Sequence, residues 1–246
     1  MNKPKTKLVF NKDLLLHRLI FQDNSEFKIW QKLPNGCYIG TLGYSKENVY
    51  ILMELLNSFA EQYGEIITYE SASEELMLYQ NNGKLFIYFD ENQRPVSMNG
   101  ITYNEANKTV DFKSYDNEEP SSIYFYGLST LPEYRGKGAC RTLIDFAIKY
   151  AYYNNFDFVY ARTDLTNSNS EWLMQNAGLE ICTYDNNIIA EWVDVTDNTG
   201  DYRLHMWLPL KNNLYLLPKE EAIMATNDSK RNIIGNKILR KRVEMK

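Results

Sequence analysis

A strand-like segment passes through a short glycine loop directly into an amphipathic helix, and this arrangement limits the folds open to the chain. Residues 121–130 have the sequence SSIYFYGLST, and apolar side chains recur at helical spacing between about 137 and 153. A second strand-like segment, 156–163, follows the helix. A strand, a helix and a strand in this order form a crossover, so one parallel strand pair is predicted.

The remaining periodicities predict an α+β protein. Ser45 can cap a helix, and apolar residues spaced three or four apart continue to Gly64. Alternating apolar residues between turn sequences predict strands elsewhere. After a short helix at 12–21, the predicted order is strand (37–44), helix (to Gly64), helix (73–79), strands (85–90, 96–102, 109–115, 121–130), helix (137–153), strand (156–163), helix (170–176) and strands (180–184, 202–208).

Charge and composition exclude several classes of function. The formal net charge of -5 argues against a broad nucleic-acid-binding face, so such contact is expected only through the basic stretch 230–246. The three cysteines and two histidines lack the spacing of metal ligands, and no metal is predicted. Without a signal peptide or an apolar window of membrane length, the protein is expected in the cytoplasm, away from membranes.

The run from Leu128 to Leu143 has the properties of an anion site. The strand ends near Pro132, Gly136 and Gly138 follow, and the helix begins at once. A helix N-terminus has four N–H groups without intrahelical partners and about half a positive charge. Glycines let a phosphate oxygen approach the backbone. The flanking arginines, Arg135 and Arg141, add positive charge, so the loop is suited to a pyrophosphate.

Other phosphate motifs fit this loop less well. A P-loop has Ser or Thr after its Gly-Lys, whereas here Lys137 is followed by Gly138 and Ala139. A dinucleotide fingerprint has three spaced glycines among parallel strands, and the strands before this loop are predicted to be antiparallel. A glycine turn without a ligand remains as an alternative.

The sequence from Leu128 to Cys140, Leu-x-Thr-x-Pro-x-Tyr-Arg-Gly-Lys-Gly-Ala-Cys, resembles the acetyl-CoA loop of the GNAT superfamily of N-acetyltransferases. Arg135 and Gly138 match the first and fourth positions of the family's loop. Cys140 takes the sixth, where the family has Gly or Ala. Residues 167–179 resemble the family's penultimate helix, and Asn167 matches an asparagine that contacts the cofactor. Residues 203–207 resemble its last strand.

The resemblance implies an α+β fold, in which a mixed, mostly antiparallel central sheet is splayed at its middle and flanked by helices. It divides the chain into an N-terminal extension (1–34), an acyltransferase domain (35–210) and a C-terminal extension with the basic tail (211–246). It also implies acetyl-CoA as co-substrate. The residues expected to contact it are Leu128, Ser129, Thr130, Arg135, Gly136, Lys137, Gly138, Ala139, Cys140, Arg141 and Asn167.

The activity implied is transfer of an acetyl group to a primary amine by direct attack, so Cys140 need not act as a nucleophile. Met174 stands where many family members have a tyrosine that protonates the leaving thiolate. Three other tyrosines are therefore candidates for this role: Tyr160, Tyr126 and Tyr184.

Several alternatives remain open from the sequence. Met174 also suits a non-catalytic acyl-CoA sensor, and the basic tail suits an acceptor such as aminoacyl-tRNA or protein lysine. The acceptor pocket is expected from 11–34, 64–80 and the predicted loop 185–201. A homodimer is a further alternative that the sequence leaves open.

Overall fold

The structure is a computed structural model, and it describes residues 27–60, 66–116, 118–195 and 199–226. The predicted helix at 12–21 and the basic stretch 230–246 lie outside these residues.

The helices at 46–60 and 69–82 each begin after a residue whose side chain caps the first turn. The Ser45 hydroxyl accepts a hydrogen bond from the N–H of Asn48 (3.2 Å), as predicted. Thr68 accepts one from the N–H of Ser71 (3.2 Å), so the second helix begins earlier than the sequence predicted. The helices are α1 (Lys46–Ala60), α2 (Tyr69–Asn82), α3 (Ala139–Tyr153) and α4 (Ser168–Asn176).

The strands form one large sheet and one small one. Their bounds are β1 (Phe27–Lys32), β2 (Tyr38–Leu42), β3 (Gly83–Phe89), β4 (Pro95–Tyr103), β5 (Val110–Ser114), β6 (Ser122–Thr130), β7 (Phe158–Asp164), β8 (Glu180–Ile181), β9 (Thr183–Tyr184), β10 (Asn187–Val195), β11 (Thr199–Pro209), β12 (Leu214–Pro218) and β13 (Ile223–Ala225). The large sheet has the order β1-β2-β3-β4-β6-β7-β11-β10-β13, with β8 on β11 and β9 on β10.

The sheet is mixed, and its parallel pair lies at its middle. β6 and β7 are parallel, whereas all the other described pairs are antiparallel. Helix α3 joins these two strands, so the predicted crossover is confirmed. Two layers of helices cover the sheet. Apolar residues of α1 and α2 pack with β3 and β4 in one cluster, and those of α3 and α4 pack with β6 and β7 in another.

The central sheet opens between β6 and β7. Their parallel pairing runs from Ser122 opposite Phe158 to Phe125 opposite Ala161, and beyond it the two strands continue without pairing with each other. On its other side, β6 pairs with β4, and the register shifts so that Tyr126 is an extra residue. An extra residue bends a strand and increases its twist, which accounts for the opening. The predicted splayed sheet is thus confirmed.

Some segments depart from the sequence prediction. The predicted loop 185–201 is instead part of the hairpin of β10 and β11, since residues 190–195 pair with 199–204. The predicted strand 109–115 leaves the main sheet and pairs with β12. In the predicted C-terminal extension, β12 and β13 pair with strands of the central domain, and so does β1 of the predicted N-terminal extension.

Candidate functional site

The loop between β6 and α3 presents backbone N–H groups at the start of a long helix. Gly138 precedes the helix and has no side chain to cap it. The first bond of the helix joins the N–H of Thr142 to the carbonyl of Gly138 (2.9 Å). The N–H groups of Ala139, Cys140 and Arg141 therefore precede any intrahelical partner and are available to an anion.

Gly136 and Gly138 both have left-handed backbones, with φ of +74° and +87°. A Cβ built on either glycine would meet no atom within 4 Å. The space above them is therefore open, and a phosphate could approach the backbone there. A side chain at either position would occupy that space and would also strain the backbone.

The base of the loop is anchored to the β3–β4 turn. The Tyr134 hydroxyl donates a hydrogen bond to Asp90 (2.6 Å), which also accepts bonds from the N–H groups of Asn92 and Arg94. The N–H of Leu131 bonds the carbonyl of Val96 (2.9 Å). Two neighbouring parts of the sheet thus hold the loop, which preorganises it for binding.

Three basic side chains lie in the glycine loop and the first turn of α3. Arg135 is exposed, and its Nε donates to the carbonyl of Thr130 (3.3 Å). The Lys137 Nζ lies 4.9 Å from the centre of the Tyr134 ring. The Arg141 Nε forms an i,i+4 ion pair with Asp145 (2.8 Å). These groups add positive charge at the rim, while the backbone forms the inner surface.

Cys140 is suited to packing rather than to nucleophilic attack. Burial raises the pKa of its thiol to about 11, although a hydrogen bond to Thr130 opposes the rise. The thiol is therefore protonated at neutral pH, whereas the thiolate is the nucleophilic form. All three cysteines of the chain are free thiols.

Of the other predicted cofactor residues, Leu128, Ser129 and Thr130 lie on β6 beyond the point where its pairing with β7 ends. Leu128 packs beside α3, and the Thr130 hydroxyl lies 2.7 Å from that of Ser97. Asn167 caps α4, where its Oδ1 accepts a bond from the N–H of Ser170 (3.2 Å). The structure therefore brings the β6 residues and the loop together around the opening.

The three candidate tyrosines lie in different environments. Tyr126 is the extra residue of β6 at the opening, and its side chain is 49% exposed. Tyr160 is buried, and its hydroxyl is hydrogen-bonded to Nδ1 of His205. Tyr184 is exposed on β9, which pairs with β10 and not with β6 or β7. Met174, on α4, is buried in the apolar cluster that includes residues of α3.

A polar network lies beside the opening on the face that carries Tyr124. Arg162 donates to the Tyr124 hydroxyl (2.9 Å) and to Glu191 (3.0 Å). The other oxygen of Glu191 accepts a bond from Thr109 (3.1 Å) and lies 3.7 Å from Nε2 of His205. Arg162 and Glu191 therefore largely neutralise each other's charge.

The network makes stability depend on pH. Burial lowers the pKa of His205 from 6.5 to about 4; Glu191 opposes this shift and Arg162 adds to it. The folded pKa of His205 lies below its unfolded pKa. The contribution of the neutral imidazole to the free energy of unfolding is therefore complete above about pH 6.5 and is lost as the pH falls toward 4. We expect His205 to account for about 3 kcal/mol of lost unfolding free energy over that range.

Denaturant unfolding of the parent and of His205→Gln at several pH values measures this contribution. The variant lacks the titrating imidazole, so its stability should fall less steeply below pH 6.5. Equal slopes for both proteins would contradict the assignment.

One acidic and one aromatic residue near the opening, Glu75 and Tyr79, are absent from the predicted site residues. Glu75 and Tyr79 lie on α2, within the predicted acceptor segment 64–80, and contact β6 at Gly127. The available signal was a glycine inside each of two predicted strands, Gly100 and Gly127, because such glycines mark bulges or close approaches. Neither position reveals its partner from the sequence.

In the described residues, no three or more His, Cys, Asp or Glu side chains come together as a metal-binding group. No described helix combines the length and the apolar character needed to cross a membrane.

Comparisons with known proteins relate this geometry to one family. A family model described as "Acetyltransferase (GNAT) family" matches residues 52–178, which include α2, the opening of the sheet, the loop and α4. A comparison with curated protein sequences gave no match.

Solved structures share the fold at low sequence identity. A ribosomal-protein-alanine N-acetyltransferase from Brucella melitensis is 16% identical, with a TM-score of 0.52 over 69% of this chain and 98% of that one. The protein yncA from Salmonella typhimurium, solved with its cofactor acetyl-CoA, is 14% identical, with a TM-score of 0.53 over 72% and 95%. A spermidine N-acetyltransferase from Vibrio cholerae, in complex with CoA and spermine, is 16% identical, with a TM-score of 0.51 over 76% and 97%. The family model spans more than half of the chain, and the chain therefore belongs to the acetyltransferase (GNAT) family.

Proposed function

We propose that the protein transfers an acetyl group from acetyl-CoA to a primary amine, and that the amine attacks the thioester directly. The observation that carries this proposal is the open space over Gly136 and Gly138, which adjoins both the N-terminus of α3 and the opening beside β6. A pyrophosphate at the loop would place the rest of the co-substrate along β6, toward Tyr126.

The opening supports a role for the backbone of β6. From Tyr126 to Thr130, the edge of β6 that faces β7 has no strand partner. Backbone groups at such an edge can hydrogen-bond an extended ligand in the way that a strand would. An N–H there can also stabilise the oxyanion that develops on the thioester carbonyl. This arrangement favours direct transfer, without an acyl-enzyme on Cys140.

The acceptor is an amine whose identity the fold leaves open. The solved relatives include one complex with CoA and spermine and one enzyme named for ribosomal-protein alanine. Spermine and a peptide that begins with alanine each present an unhindered amine, so both are reasonable first probes. A cytoplasmic location, a homodimer and nucleic-acid contact through the tail remain predictions from the sequence, and the free cysteines are consistent with the first of these.

The test is release of free CoA thiol from acetyl-CoA in the presence of spermine, a peptide that begins with alanine, or lysine blocked at its α-amino group. We expect at least one amine to raise thiol release well above the rate without amine, and mass spectrometry should show a single added acetyl group. Acetyl-CoA binding by calorimetry without turnover on any amine would instead favour the non-catalytic sensor, for which Met174 is the motivating residue.

A further inference from the structure

Two glycines that face each other across β4 and β6 form a hollow in the sheet. Gly100 and Gly127 are register partners next to the extra residue Tyr126. A Cβ added to Gly100 would lie 2.1 Å from the Tyr79 hydroxyl, and one added to Gly127 would lie 2.9 Å from it. The Tyr79 phenol therefore occupies space that exists only because both positions lack a side chain.

Tyr79 holds a carboxylate above the strand. Its side chain is 1% exposed, and burial raises its pKa well above the usual value, so the hydroxyl remains protonated. It donates a 2.7 Å hydrogen bond to Oε1 of Glu75, one helical turn earlier on α2. A Cβ at Gly127 would lie 3.4 Å from that oxygen. The carboxylate thus lies directly over the backbone of β6.

This position is the point at which the central sheet opens. Phe125 is the last residue of β6 to pair with β7, and Gly127 lies two residues beyond it. The exposed ring of Tyr126 lies edge-on to Tyr79, with 6.1 Å between ring centres. Glu75 and Tyr126 therefore border the same opening, to which the loop at the start of α3 also leads.

In the described parts of the chain, no basic side chain forms an ion pair with Glu75. Two other carboxylates near the site do have cationic partners: Glu191 is paired with Arg162, and Glu133 with Arg94. Glu105 accepts a bond from the Thr102 hydroxyl (3.3 Å), but it is exposed to solvent, whereas Glu75 is half-buried. A half-buried carboxylate without a cation favours the binding of one.

We propose that Glu75 is a catalytic residue that binds the ammonium group of the acceptor amine and takes its proton, and that Tyr79 is the residue that positions it. This inference rests on the proposed function. It also narrows the acceptor to an amine that is protonated at neutral pH, such as an alkylamine.

The protons balance in this scheme. Glu75 accepts one proton from the ammonium, and the free amine then forms a C–N bond to the thioester carbon. The tetrahedral intermediate collapses, the C–S bond breaks, and the sulfur leaves as a thiolate. The second proton lost from the nitrogen passes to that thiolate and gives CoA thiol. Glu75 later releases its proton to solvent, so the products are an amide, CoA thiol and one proton.

The environment of Glu75 suits a base. Burial raises its pKa, although the bond from Tyr79 opposes the rise. The titratable groups that interact with it are Tyr79 on α2 and Tyr126 on β6; these two tyrosines also interact with Tyr124, and Tyr126 with the charges of Glu105 and Arg162. A carboxylate with a raised pKa is a stronger base, and it still ionises below the pH at which an alkylamine does.

The experiment compares Glu75→Gln with Glu74→Gln, a matched control whose side chain is exposed on the same helix. The probe is whichever of spermine, the alanine peptide and α-blocked lysine the parent acetylates fastest. We expect Glu75→Gln to lower kcat/KM at pH 7 by about 10²–10⁴-fold and to leave the Kd for acetyl-CoA unchanged. The deficit should shrink toward pH 10, where solvent deprotonates the amine.

Tyr79→Phe tests positioning, because it keeps the ring and removes the donor. Loss of this bond should raise the pKa of Glu75, so the acid limb of the kcat/KM profile should move to higher pH. The rate should fall by about 10–100-fold, the loss expected when a hydrogen bond to a charged group is removed.

Two outcomes would overturn the inference, and they are distinguishable. If the parent acetylates its probe and Glu75→Gln matches the parent in rate and pH profile, the role of Glu75 is wrong and the proposed function stands. If the parent acetylates none of the three amines, the proposed function fails and this inference fails with it.

Discussion

Gly138→Glu is expected to weaken acetyl-CoA binding by more than about 10²-fold, which corresponds to at least ~2.7 kcal/mol. The new side chain would enter the open space over the loop, where no atom lies within 4 Å of a Cβ. Its carboxylate would also repel a pyrophosphate. Titration calorimetry with acetyl-CoA measures the loss, and circular dichroism checks that the fold is retained.

Gly138→Gln is the matched control for this experiment. It introduces the same volume and the same strain at φ +87°, but no charge. Its loss of affinity should therefore be smaller, and the difference between the two variants isolates the electrostatic part. Arg141→Ala should cost less than either, because its guanidinium already pairs with Asp145 and exposed ion pairs contribute about 0–1 kcal/mol. Parent-like binding by Gly138→Glu would exclude this loop as the phosphate site.

Gly100→Ala is expected to lower the free energy of unfolding by about 3 kcal/mol, near the upper end for overpacking a core. The added Cβ would lie 2.1–2.3 Å from the hydroxyl and two ring carbons of Tyr79, so the whole ring would have to move. Tyr79 is fully buried and cannot easily find another position. Chemical denaturation of the parent and the variant measures the change.

A double-mutant cycle tests the cause of that change. Tyr79→Ala alone should cost about 3–5 kcal/mol, as large-to-small core changes do. In the double variant the new methyl group no longer meets the ring, so the combined cost should be smaller than the sum of the two. Additive costs would mean that the two residues do not interact and that the glycine hollow does not position Tyr79.

Local patterns in the sequence predicted the features that depend on local interactions. The apolar stripe of α3, including Leu143, Ile144 and Ala147, is buried against the sheet as its spacing predicted. The two loop glycines have the left-handed backbones that favour glycine. Because the loop joins consecutive elements, its resemblance to one family was visible before the fold was known, and the family and the fold class are confirmed.

Strand pairing is harder to predict from the sequence, because it depends on residues far apart in the chain. The sequence predicts a strand at 202–208 but a loop at 185–201, whereas residues 190–195 pair with 199–204 in the hairpin of β10 and β11. The pairing of β12 with β5, about a hundred residues earlier, has no local signal. Such pairs form only when the tertiary structure brings the strands together.

The same distinction between local and long-range interactions applies to the candidate site. The anion-binding loop could be identified from the sequence because a glycine turn and a helix N-terminus are adjacent in the chain. The acidic residue at the opening could not be identified, because Glu75 acquires its position through Tyr79, and Tyr79 through Gly100 and Gly127 on two other strands. A register shift at Tyr126 then places this group at the opening of the sheet. Only the folded chain combines these contacts, since each depends on the packing of a helix against paired strands.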